Sequence, residues 1–125
     1  MKIEWFTNEK EKIATIYETN ITFNTVAARY FENAYSTIIG FDLEEKCLLI
    51  KPVSKEEVNI RNLSLDDLHT MSIKKSYGRI NGKGIIKKLC YYFPIDFSVS
   101  NAHKYVCEWN YEEKLLKIDL NKEVL

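Results

Sequence analysis

Apolar and polar residues alternate with period two over much of this chain, and twice the alternation gives way to a helical period. Ile3-Glu4-Trp5-Phe6 and Ile13-Ala14-Thr15-Ile16-Tyr17 are rich in β-branched and aromatic residues. They flank the polar stretch 7–12, which predicts an N-terminal β-hairpin. Ile21 and Phe23 then alternate with polar neighbours as a short strand. Asn24 or Thr25 can cap the next element, because either side chain accepts from the free N–H groups of a first helical turn. Ala27, Tyr30, Phe31 and Ala34 fall at i, i+3, i+4 and i+7, one face of a short helix. Residues 37–41 and 47–50 predict a hairpin around 42–46, which Pro52 is expected to stop, since proline cannot donate to a ladder.

Residues 54–71 lose the strand pattern and read as a connector with one helical turn capped by Ser64 and Asp67. The pattern then resumes. Residues 72–77 predict a strand running into a turn at Gly78-Arg79-Ile80, with Asn81 as a helix cap. Ile86, Leu89, Cys90 and Phe93 share a helical face. Gly82 and Gly84 each weaken the first turn by roughly 1 kcal/mol relative to alanine, so that helix is expected to start late. Pro94 ends it, and a hairpin over 104–120 comes after an insertion at 95–103.

The second half therefore paraphrases the first. Residues 41–50, Phe-Asp-Leu-Glu-Glu-Lys-Cys-Leu-Leu-Ile, return as 109–118, Trp-Asn-Tyr-Glu-Glu-Lys-Leu-Leu-Lys-Ile, with five identities at a constant offset of 68. A repeat implies one small unit built twice, whose copies pack together. The expectation is an α+β chain. It has two pseudo-repeated strand–helix–β-hairpin units, about 19–53 and 72–120, joined by the connector and forming one compact barrel-like domain.

Composition sharpens this only in part. The chain has 125 residues, enough for one domain, and 46% are hydrophobic, ample for a packed core. Net charge is zero, which excludes a wholesale polyanion binder, yet the halves differ. Residues 1–69 carry eight Lys/Arg against twelve Asp/Glu, and residues 70–125 carry ten against six. Cys47, Cys90 and Cys107 are widely spaced in apolar segments, as buried thiols acting as small hydrophobes are, and point to a reducing cytoplasm. No apolar run approaches membrane-spanning length.

The most distinctive chemistry lies within 72–88, where Lys74, Lys75, Arg79, Lys83, Lys87 and Lys88 occur without one acidic residue. Cations, small residues and the free N–H groups of a helix start are what phosphate recognition requires. Three readings stand: nucleic acid, another anion or acidic partner, or a solvated surface. The stretch is no P-loop, lacking the Gly-Lys-Ser/Thr spacing, and no dinucleotide fingerprint. His69 and His103 have no ligand-spaced neighbours, so no metal or other cofactor is expected. Glu44/Glu45 and Glu112/Glu113 repeat in hairpin turns, where solvation accounts for them better than acid–base catalysis. No nucleophile motif occurs, and no catalytic residue is assigned; the chain is not expected to be an enzyme.

Strand, Gly78-Arg79-Ile80, short helix and hairpin together resemble the AbrB/SpoVT family of bacterial transcription regulators, over residues 72–120. Two such units on one chain are similar to its MraZ-like tandem members. The resemblance implies DNA contacts by Arg79, Lys75 and Lys83. The chain departs from the family pattern in having Asn81-Gly82 where a proline normally comes next, and Thr22-Phe23-Asn24 in place of the motif in the first unit. The leading expectation is a DNA-binding regulatory protein contacting phosphates through 74–88. The alternatives are a non-catalytic protein-interaction module, antitoxin-like or phage-like and using the acidic first half, or a single-stranded nucleic-acid binder.

Overall fold

The computed structural model describes residues 1–6 and 10–125. Its strands are β1 (Lys12–Ile16), β2 (Asn20–Asn24), β3 (Ser36–Asp42), β4 (Cys47–Val53), β5 (Ser72–Ile73), β6 (Tyr77–Asn81), β7 (His103–Asn110) and β8 (Leu115–Val124). The helices are α1 (Thr25–Ala28), α2 (Lys55–Ile60) and α3 (Lys83–Tyr92), with 3₁₀ turns over Arg29–Phe31 and Leu65–Asp67. Every strand pairing is antiparallel, in the order β3-β4-β8-β7-β1-β2-β6-β5, and the sheet curls into a half-barrel. The chain is α+β.

The period-two pattern sets which side chains face inward. In β2, Ile21 and Phe23 are buried while Asn20, Thr22 and Asn24 are not. In β8, Leu116, Ile118 and Leu120 are buried between half-exposed Leu115, Lys117 and Asp119. Registry carries the rows across strands: Ile50 sits beside Leu116 and Leu116 beside Trp109, while Leu48 and Cys107 flank Ile118. Each fully buried Ile or Leu contributes about 1.5–3 kcal/mol relative to exposure.

Helices α1 and α3 close this concave side. Asn24 caps α1, its Oδ1 accepting from Ala27 N at 3.2 Å and from Ile13 N at 3.1 Å, so one side chain ties helix start to β1. Ala27, Ala28 and Phe31 are buried. Helix α1 can sit on β6 because Gly78 has no side chain: a Cβ there would lie 3.1 Å from the Ala28 Cβ and 2.8 Å from the Met71 Sδ.

Both long hairpins turn by the same local chemistry. Asp42 Oδ1 accepts from Glu44 N and Glu45 N at 2.9 and 3.0 Å, and Asn110 Oδ1 accepts from Glu113 N at 2.9 Å. Lys46 and Lys114 then take positive φ values of 60° and 53°. Of the exposed glutamates of these turns, Glu45 is held by Lys117 at 2.6 Å.

Several expectations are corrected. Met1–Phe6 form no strand, so the first arm of the expected N-terminal hairpin is absent; residues 7–9 of its turn lie outside the described residues. β1 instead forms a hairpin with β2, closed by Tyr17 N donating to Asn20 O at 2.8 Å. Pro52 does not stop β4. It pairs with Thr37, whose own N–H and C=O point away to His69, and the β4–β8 ladder ends at Ile50. The missing donor therefore faces no ladder. Helix α2 has no apolar spacing to announce it, since none of its residues is buried. It is held by the reciprocal cap of Ser54 and Glu57, at 3.0 and 3.2 Å. Residues 72–77 are not one strand: β5 and β6 are separate arms, with Lys74 N donating to Tyr77 O at 2.8 Å. Asn81 ends β6 and caps nothing; α3 begins directly at Lys83 after Gly82.

The inserted segment before β7 is fastened by His103. Its Nδ1 meets Glu123 Oε1 at 2.6 Å, and its Nε2 meets the carbonyls of Asp96 and Ser100, both at 3.0 Å. All three partners are acceptors, which favours the doubly protonated ring. Desolvation alone would lower its pKa, but the Glu123 hydrogen bond, the Asp96 carbonyl, the Glu123 charge and the Ser100 carbonyl together raise it above 6.5. A raised folded-state value stabilises fully below the unfolded pKa and is lost as pH rises through the folded one. The stability difference between wild type and His103→Gln is therefore expected to be largest below pH 6.5 and to shrink as the pH is raised above it. Denaturant midpoints of both proteins on either side of that pH check it; a constant difference would refute the ion pair.

Candidate nucleic-acid interface

The six basic residues do not form one cluster. Lys74 and Lys75 occupy the β5–β6 turn, at one end of β6, while Lys83 opens α3 just beyond the other end. A five-residue strand separates them, about 17 Å of chain. Arg79 lies mid-strand rather than in a turn, paired with Thr22 and Ser72. Lys83 and Lys87, four apart, share one flank of α3. Lys88 lies on the other flank, lining a groove with Phe41 and Tyr92.

β-sheet registry brings Arg79 into company that the chain order conceals. Lys104 pairs with Thr15, Thr15 with Thr22, Thr22 with Arg79, and Arg79 with Ser72. That row crosses five strands and, apart from Thr15, which is buried, presents two cations, the hydroxyls of Thr22 and Ser72 and no carboxylate. The outward positions of β2 and β6 are Asn20, Thr22, Asn24, Tyr77, Arg79 and Asn81, again without an acid. The Arg79 guanidinium carbon lies 5.2 Å from the Tyr77 ring centroid, which orients the fork along the sheet surface. Sequence reasoning missed Lys104, Thr15, Thr22 and Ser72, because nothing local announces that residues so far apart stand side by side.

The start of α3 adds donors. No side chain caps Gly82, and the first turn holds Lys83 but no acidic residue. The N–H groups of Lys83, Gly84 and Ile85 have no intrahelical partner and point outward with the positive end of the helix dipole. Among the described residues the ion pairs are His103–Glu123, Lys117–Glu45 and Lys122–Asp119, and none engages the six basic residues.

No protein-family model, curated protein or solved structure matches this chain. Geometry alone bears on its function.

The thiols and histidines offer little chemistry. Burial pushes the Cys107 thiol up to about 12 and raises that of Cys47, which leaves both poor nucleophiles. Burial lowers the His69 pKa against the opposing charge of Asp67, and its backbone is bound to β3. No three His, Cys, Asp or Glu side chains among the described residues converge on a metal-sized site, and no helix among them is long and apolar enough to cross a membrane.

Proposed function

We propose that this protein binds duplex DNA as a regulatory protein, holding backbone phosphates with Lys74, Lys75, Arg79, Lys83 and Lys87. The observation that carries the reading is the carboxylate-free outer face of β2 and β6, with Arg79 at its centre and cations outside any described ion pair beyond each end. Cations at those separations suit successive phosphates along a groove better than they suit one compact anion. The uncapped start of α3 supplies backbone donors beside Lys83. Lys104 and the hydroxyls of Thr22 and Ser72 extend the same surface.

The AbrB-like tandem architecture belongs to this proposal. Residues 20–53 and 77–124 run through the same order of strand, helix and hairpin. Exchanging β1 with β5, β2 with β6, β3 with β7 and β4 with β8 reverses each four-strand half of the sheet onto itself. Aromatic contacts cross between units: Phe41 stacks on Tyr92 with centroids 5.3 Å apart, and Trp109 stacks on Tyr30 at 4.2 Å. Lys117 bonds Glu45 in the first hairpin turn, and Lys51 reaches the Glu113 carbonyl in the second. Each hairpin thus leans on the other unit, as two related halves would.

The test is binding to duplex DNA, single-stranded DNA and RNA of mixed sequence at two salt concentrations. Wild type is expected to prefer duplex and to weaken steeply with salt. Arg79→Ala/Lys83→Ala should bind every duplex more weakly, and its log–log salt slope should fall by about 0.9 per lost contact. Thermal stability should change by less than about 1 kcal/mol, since both charges are exposed. Absence of duplex binding at low salt, or a double mutant that binds as tightly as wild type, rejects the reading.

A further inference from the structure

Two unsatisfied features of this chain fit one another. The first is the free edge of β3. Thr37 N donates to His69 O at 3.2 Å and His69 N donates to Thr37 O at 2.8 Å, so the backbone of Thr37 faces away from β4. In an antiparallel strand alternate residues face the same side, so the N–H and C=O of Ile39 and Phe41 point to that side as well. Among the described residues no strand pairs with them there: the sheet ends at β3, and the chain before His69 turns off into the 3₁₀ turn of Leu65–Asp67. Beside this edge lies a groove of about 420 Å³ between β3 and α3. Ile39, Phe41, Leu48, Ile85 and Leu89 line it, with Lys88 and Asp66 at its border.

The second feature is the segment Met1–Phe6. Ile3 and Trp5 alternate with Lys2 and Glu4, a strand pattern, yet the segment joins no described strand. Trp5 and Phe6 are 80% and 95% exposed. An exposed Trp-Phe pair beside a strand-like pattern is an unusual liability for a solvent-facing surface.

We propose that residues 2–6 of a second copy of this chain add to the open edge of β3, with Ile3 and Trp5 in the groove, and that exchange is reciprocal across a twofold. The ladder satisfies the backbone of Ile39 and Phe41, and the side chains fill the groove, which is strand addition with alternate-residue specificity. A second copy is favoured over the same chain because β1, from which the segment leads away, lies in the middle of the sheet, separated from β3 by β4, β8 and β7. Two identical acceptor edges and two identical donors close as a dimer. The inference is independent of DNA binding, and Arg79 and Lys83 remain outside the groove.

Sedimentation velocity of the full chain from about 1 μM to about 100 μM reads the association. Wild type is expected to pass from monomer to dimer in that range. Trp5→Glu should raise the dissociation constant at least about tenfold, as loss of a central aromatic anchor does. Leu43→Lys, at the groove rim, should weaken the dimer from the acceptor side. Trp5 and Leu43 are both exposed, so circular dichroism should show both variants folded. A chain monomeric throughout, or a dimer indifferent to both substitutions, overturns the proposal. So does a fluorescence shift that Trp5→Glu abolishes but concentration does not change, which would put the segment on its own groove.

Discussion

Trp109→Ala is expected to destabilise the fold by about 3 kcal/mol, measured as a fall in denaturant midpoint at unchanged slope. The ring is only partly buried, which sets the value at the low end for a tryptophan truncation. Its contacts are specific, however. It stacks on Tyr30 at 4.2 Å with the planes 9° apart and meets Phe31 edge-on at 6.2 Å and 88°. Trp109→Phe should recover most of the loss, since an aromatic face remains. A double-mutant cycle with Tyr30→Ala should show a coupling of about 0.5–1.5 kcal/mol. A loss below about 1 kcal/mol would mean that the β7–β8 hairpin is not anchored on the 3₁₀ turn that follows α1.

Gly78→Val should cost about 1–3 kcal/mol, even though valine suits strands better than glycine. The added atoms would meet Met71 at 2.8 Å, Ala28 at 3.1 Å and Ile73 at 3.3 Å. The Met71 side chain can swing away, but Ala28 belongs to α1 and moves only with its helix. Gly40→Val is the control, because nothing lies within 4 Å of a Cβ at that position. Thermal unfolding of the pair separates packing from propensity: equal outcomes would remove the argument that Gly78 admits α1 to the sheet. Here the glycine of Gly78-Arg79-Ile80 is explained by packing, Ile80 by burial and Arg79 by exposure.

What could be read from the residues was local. Period-two alternation located the strands because one face of each is buried, and the turns came from Asp42 and Asn110, whose carboxylate and amide oxygens bind backbone two or three residues on. The face formed by Ala27 and Phe31, and that of Ile86 and Leu89, announced the helices. Helix α2 had no such face and was read as connector; its Ser54–Glu57 cap is the one signal that could have found it. Strand pairing was not legible, because alternation states which face is buried and not which neighbour lies alongside. Hence Ile3–Phe6 read as the hairpin partner of residues 13–17, which pair instead with β2 and β7, and Arg79 read as part of a turn. The basic residues themselves were visible in the sequence. Their spread along β6, and the addition of Lys104 to the row of Thr22 and Ser72, depended on β1 standing between β2 and β7.

That position of β1 also governs how the molecule can be made. Its neighbours are β2, a few residues away, and β7, roughly ninety residues further along. A hairpin of β1 and β2 can form within microseconds, but two strands alone are marginal in water. Its other flank stays bare until residues 103–107 arrive. Closing so long a loop carries an entropic cost that the ladder repays only at the end, which places this protein among slow, millisecond-to-second folders. While a ribosome adds about 5–20 residues per second, the β1 edge waits several seconds for its partner. A chaperone that shields strand edges would act on this chain in that interval.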